Sequence, residues 1–187
     1  MFRSLLPLLI AALPGVCLPT IAAAEEQLAL FSTDGYRQTQ YRSPTPPSID
    51  GAQTLDTVAL KALLEEQSDV VLVDVYRSQW LAGRFIDSEP HANLPGSIWL
   101  ANTGDGDLQP EWASYLSENL ARASQGNLEQ PIVFYCRSDC WLGWNATRRA
   151  HALGYKRLYW YRDGVDGWEQ AGLPLHPATP EPLPGDE

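Results

Sequence analysis

Positive charge is scarce in this chain: 13 Lys and Arg stand against 23 Asp and Glu in 187 residues. A surface with that balance repels phosphate backbones and anionic bilayers, which excludes nucleic acid and membrane surfaces as partners. Cysteine is nearly missing, with only Cys17, Cys136 and Cys140. The chain is therefore no disulfide-stapled scaffold and must bury its own core, for which it is long enough. No apolar stretch reads as a membrane span, because the N-terminal one is short and interrupted by Pro7, Pro14 and Pro19. No internal repeat is present.

The N-terminal run carries another message. Arg3 supplies a positive start, Leu5 to Val16 an apolar stretch, and Ala22-Ala23-Ala24 precede Glu25. This pattern predicts a secretory signal peptide over residues 1–24 rather than a membrane anchor. Cys17 follows Pro14-Gly15-Val16, a poor lipid-attachment signal. The mature protein is expected to be soluble and exported. Without Arg3 it holds 12 basic against 23 acidic residues, a net charge of about −11.

Residues 25–53 form an N-terminal extension with little periodicity, including the extended Ser43-Pro44-Thr45-Pro46-Pro47. Its stretch from Gln27 to Gly51 reads as either an interface or a wrap. Periodic structure begins near Thr54, with Asp56 or Thr57 as a helix N-cap and Leu60, Leu63 and Leu64 on one face. Asp69 to Val75 reads as a strand buried on both faces, and Gln79 to Pro90 as a looser stretch with a helical turn. Ser97 to Leu100 is a short strand after Pro95-Gly96. Pro110 then opens a helix that turns Trp112, Leu116, Leu120 and Ala123 inward. Ile132 to Tyr135 is the next strand, and its helix carries Leu142, Ala146, Ala150 and Leu153 on one face up to Gly154. Arg157 to Tyr161 and Val165 to Ala171 complete the alternation, and residues 176–187 form a mobile, Pro-rich acidic tail. Strands alternating with helices predict a single α/β domain over residues 54–175 with a mostly parallel sheet.

The most informative segment is Pro131 to Ala146, PIVFYCRSDCWLGWNA: a strand, Cys136 where it stops, and a helix directly after. Ligands of parallel sheets bind at the carboxyl ends of strands. There, backbone N–H groups and a helix dipole favour thiolate over thiol. Cys136 and Cys140 are the only cysteines after the leader, and a bridge closing so small a loop is more often labile than structural.

The blocks DVVLVDVYRSQW, LPGSIWL, IVFYC and ALGYKRLYWYRDGVDGWEQAGLPL together resemble a single-domain rhodanese, with Gly164-x-x-Gly167-Trp168 and Ala171-Gly172-Leu173-Pro174 the most specific part. Cys136, Cys140 and Trp141 are also similar to a narrower exported branch named for its Cys-Cys-Trp motif. That branch is associated with periplasmic catabolism by dehydrogenases that use pyrroloquinoline quinone (PQQ). The resemblance implies that Cys136 is a nucleophile carrying a persulfide or disulfide, with no cofactor. It further implies a ring of loop N–H groups around the sulfur and a periplasmic location. The implied partner is a periplasmic protein, either a PQQ-dependent dehydrogenase or its electron-transfer chain.

The departures from the family pattern are equally informative. Its usual loop Gly is Asp139 here, and its Arg is Trp141. The carboxylate raises a neighbouring thiol's pKa and disfavours thiosulfate. An apolar plate suits a protein partner, so Trp141 is expected partly exposed. Arg137 and Ser138 complete the substrate or partner-binding loop, with Arg137 holding an anionic donor or simply solvated. The phosphatase variant of the fold needs an Arg where this chain has Leu142, which argues against that activity. Cys140 lies within disulfide reach if the loop is locally helical, Cα atoms four residues apart being about 6 Å distant. The gained thiol and lost cation tilt the reading from persulfide transfer toward disulfide exchange. Two non-catalytic rivals stand beside it: a binding module whose Trp141-bearing loop docks on a dehydrogenase, and a copper chaperone with Cys136 and Cys140 joined by His91, and less well by His151 or His176. Asp105-Gly106-Asp107 with Glu111 is a polar turn rather than a calcium loop, and Asp74 is a support for the reactive loop.

Overall fold

A computed structural model describes residues 30–86 and 90–183. The leader, Cys17 and the cleavage site therefore lie outside the described residues. Elements run β1 (Gln53–Leu55), α1 (Thr57–Glu66), β2 (Val71–Asp74), β3 (Gln79–Leu81), β4 (Arg84–Ile86), β5 (Ala92–Asn93), β6 (Ile98–Trp99), α2 (Pro110–Ala123), β7 (Ile132–Tyr135), α3 (Trp141–Ala152), β8 (Leu158–Tyr161), α4 (Gly164–Gln170) and β9 (His176–Pro177).

Five strands form one parallel sheet in the order β1-β8-β7-β2-β6. The predicted α/β architecture is thus the observed one. β7 is central and buried at every residue, as its unbroken apolar sequence requires. Asp56 caps α1 by accepting from the Ala59 amide at 2.8 Å, and Leu60 and Leu63 pack beneath it. On the other face, Leu116 and Leu120 of α2 join Leu142, Ala146 and Ala150 of α3 around Ile132 and Phe134.

Three expectations are corrected. Residues 79–86 form a hairpin, not a helical turn: Trp80 pairs opposite Phe85, and the two rings meet edge to face at 4.7 Å. Ala82 and Gly83 make the turn with φ of 52° and 79°, the mirror-image conformation that suits hairpin twist. Leu153 is not core; it caps the end of α3 and is 45% exposed. The acidic tail is docked as far as residue 183: β9 pairs with β5, Glu181 N–H donates to Trp99 O at 3.0 Å, and Tyr115 Oη donates to Glu181 O at 2.7 Å. Backbone pairing overrides its polar composition. No described helix is long and apolar enough to cross a membrane.

Candidate functional site

β7 ends at Tyr135, and the chain leaves the sheet at Cys136. Cys136 and Cys140 form a disulfide with Cα atoms 6.2 Å apart, as their spacing allows. Both residues are buried, at 2% and 3% exposure. Cys140 is the N-cap of α3 and Trp141 its first residue. A thiolate released from Cys140 therefore sits at the positive end of that helix. Asp139 has φ +48°, a left-handed conformation that Asp tolerates.

The loop is clasped from α4. Asp166 accepts from Arg137 Nε at 3.0 Å and Nη2 at 2.6 Å through one oxygen. Through the other it accepts from the Ser138 amide at 2.9 Å and Ser138 Oγ at 3.0 Å. The start of α4 abuts the cysteine itself, with Val165 N–H donating to Cys136 O at 3.0 Å. Gly164, at φ +59°, makes this approach possible, because a Cβ there would lie 2.5 Å from Cys136 O. Gly164→Ala is expected to cost roughly 2 kcal/mol or more, for strain plus overpacking, as read by denaturant unfolding. A loss below about 0.5 kcal/mol would mean that the approach is not tight.

Burial alone would raise the Asp166 carboxyl pKa, but the hydrogen bonds from Arg137 and Ser138 outweigh it and hold the group below its ordinary value of 3.8. A depressed carboxyl contributes stability that is present above the unfolded value and lost as pH falls through the folded one. An NMR titration of Asp166 should accordingly show a midpoint below 3.8; a midpoint at or above that value contradicts the clasp. The guanidinium of Arg137 is held protonated more firmly than usual, first by its hydrogen bond to Asp166. Arg137 is therefore paired with Asp166 through Nε and Nη2.

The extension is a wrap, and it covers this loop. Ser43 N–H donates to Asp139 O at 3.0 Å, and Trp141 N–H donates to Tyr41 O at 2.9 Å. Arg42 forms a β-bridge with Cys140. Trp141 is thus not the exposed plate expected: it is 8% exposed, donates from Nε1 to Ser43 Oγ at 3.0 Å and meets Phe31 edge to face at 5.3 Å. The Arg37 guanidinium lies 5.0 Å from the Trp141 ring and 5.1 Å from that of Phe31. Asn145 of α3 fixes the strap by accepting from Arg37 N–H and donating to Arg37 O. Of the loop amides, those of Ser138 and Trp141 are engaged, by Asp166 and by Tyr41 O.

The rival metal set does not assemble. His91 Nε2 lies 2.6 Å from Asp74 Oδ2, and its ring stacks on Tyr76 at 5.1 Å. Among the described residues no group of three or more His, Cys, Asp or Glu side chains is placed to hold a metal ion. Asp74 is fully buried, and burial raises its pKa against the opposing His91 bond. It supports His91 and the Tyr76 amide rather than the cysteine loop. Asp105 pairs with Arg77 at 2.6 Å, so the 105–107 segment is the polar turn expected.

Two contributors were missed in the sequence. Asp166 hides as an unspecified position inside Gly164-x-x-Gly167, and Arg37 lies in the aperiodic extension. Neither has a local signal, because each acts on a loop about 30 to 100 residues away in sequence.

The rhodanese-like domain model matches residues 56–171. No curated protein matches the chain. Among solved structures, thiosulfate sulfurtransferase from Pseudomonas aeruginosa is 16% identical, with a TM-score of 0.50 over 73% of this chain and 22% of that one. The polysulfide-sulfur transferase homodimer of Wolinella succinogenes is 20% identical over 67% of this chain and 79% of that one, with a TM-score of 0.45. A rhodanese-like domain from Anabaena is 16% identical over 72% and 87%, with a TM-score of 0.46. At such identities the likeness is one of fold. The family match spans α1 to α4 and includes the Cys136 junction, and by it the chain belongs to the rhodanese-like domain family.

Proposed function

We propose that this protein is a thiol–disulfide exchange protein built on a rhodanese-like domain, with Cys136 as nucleophile and Cys140 as resolving thiol. The observation that carries the reading is the Cys136–Cys140 disulfide at the carboxyl end of β7, with Cys140 at the helix N-cap. In the reduced form the Cys136 thiolate attacks a substrate disulfide. A mixed disulfide forms, and one substrate thiolate leaves. Cys140 then attacks the Cys136 sulfur, expels the second substrate thiolate and closes the internal bond, so two electrons pass to the substrate. In reverse, an incoming thiolate attacks Cys136 and expels Cys140, whose thiolate the end of α3 stabilises; a more acidic leaving thiol departs faster.

The same geometry disfavours stable sulfane carriage. A persulfide on Cys136 lies within reach of Cys140, whose attack forms the disulfide and releases hydrosulfide. Intact mass after exposure to thiosulfate or a small persulfide should show one added sulfur in Cys140→Ser and none in the reduced wild type. A stable adduct on the wild type would instead favour sulfur relay.

The proposed setting is the periplasm, in support of PQQ-dependent alcohol oxidation. It rests on the leader-like residues 1–24 and on the Cys136–Cys140–Trp141 likeness to the exported branch. Cell fractionation with N-terminal sequencing should find a soluble periplasmic protein starting at Glu25, and a cytoplasmic protein with an intact leader would contradict it.

A further inference from the structure

We infer that Asp166 is a positioning residue that sets the charge of the Cys136 loop, and that it selects uncharged disulfide substrates over anionic sulfur donors. This rests on the exchange reading above and deepens it. Two cations beside the loop meet this one carboxylate: Arg137 through two hydrogen bonds, and Arg42 of the strap at 3.5 Å. Asp166 is the more enclosed partner, its side chain 15% exposed against 44% for Arg137 and 54% for Arg42. The same carboxylate takes the Ser138 amide and hydroxyl, groups that would otherwise be free to face an anion. Asp139, the other acid of the loop, is exposed and leaves the cations to Asp166.

The consequence is a loop whose two outward cations are paired in place. An oxyanion or carboxylate-bearing donor approaching Cys136 finds Arg137 and Arg42 already held by Asp166 and meets the charge of that carboxylate. A neutral disulfide, attacked by the Cys136 thiolate, meets no such penalty. Removing the carboxylate returns two guanidinium groups and two loop donors to the site. A unit charge at this range in a partly buried site is worth about tenfold in an equilibrium or rate that depends on it.

Charge selectivity is separable from loosening of the loop by alkylating the reduced protein with two reagents of similar size, iodoacetate and iodoacetamide. The ratio of their rate constants at Cys136 is read in wild type, Asp166→Asn and Asp166→Glu. Asp166→Asn should raise the iodoacetate-to-iodoacetamide ratio about tenfold, and Asp166→Glu should leave it within about twofold. The gain should shrink as salt is raised. A merely structural role would speed both reagents together and leave the ratio unchanged, which would overturn the inference. Thiolate absorbance in the Cys140→Ser background gives a second readout that needs no reagent access. There Asp166→Asn should increase the acidity constant of Cys136 about tenfold, and no increase would likewise overturn it. Neither readout depends on whether the disulfide exchanges with partners, so failure of the exchange reading would show separately, as a disulfide that no partner thiol opens.

Discussion

Cys136→Ser should abolish disulfide exchange, lowering the turnover of a small disulfide substrate by at least about a thousandfold, because a serine hydroxyl neither attacks sulfur nor carries the mixed disulfide. The fold should survive. Bridging residues only four apart constrains little of the unfolded chain, so losing the bond costs about 2 kcal/mol. Cys140→Ser should behave differently. It retains the nucleophile but loses the resolving thiol, so the mixed disulfide on Cys136 accumulates and is visible by non-reducing electrophoresis and intact mass. If instead Cys140→Ser is inert and Cys136→Ser traps the adduct, the roles of the two thiols are exchanged.

The second large effect concerns access. Both cysteines are buried and the strap crosses the loop between them, with Trp141 as the ring on which Phe31, Arg37 and Ser43 converge. Trp141→Ala should cost about 3–5 kcal/mol in denaturant unfolding. It should also speed reduction of the internal disulfide by about ten- to a hundredfold, since attack then needs less opening. Arg37→Ala supplies the companion test from the strap side, leaving α3 intact. It should accelerate reduction in the same direction and raise hydrogen exchange at the Ser43 and Trp141 amides, both of which are engaged in strap–loop bonds. Leu153→Ala, at the exposed end of the same helix, should change stability by no more than about 0.5 kcal/mol and reduction not at all. Equal reduction rates in Trp141→Ala and wild type would mean that the strap does not gate the sulfurs.

The fold was largely legible because its signals are local. Val71–Asp74 and Ile132–Tyr135 are apolar runs of strand length, Pro110 marks a helix start, and Gly154 follows a helix end. The hairpin at 79–86 was missed because Ala82-Gly83 is a weak turn signal, and because its strands are fixed by Trp80 and Phe85 meeting across the pair and on Trp112. The tail was misread from composition, which carries no trace of backbone pairing to Ala92 and Asn93. At the site, the spacing of Cys136 and Cys140 was informative about their reach. What surrounds them was not: Asp166, Arg37 and Tyr41 come from distant segments, and their contacts depend on tertiary placement alone. Trp141 shows the cost of that gap. Its position in the loop suggested a docking plate, whereas the extension buries it.

The central claim is that the Cys136–Cys140 bond exchanges, and its reduction potential tests that most directly. Equilibration against glutathione or dithiothreitol redox buffers should give a value above about −300 mV, within the span of roughly −270 to −120 mV occupied by proteins that trade disulfides. A value below about −300 mV would mark a bond inert to exchange and make the pair a structural staple.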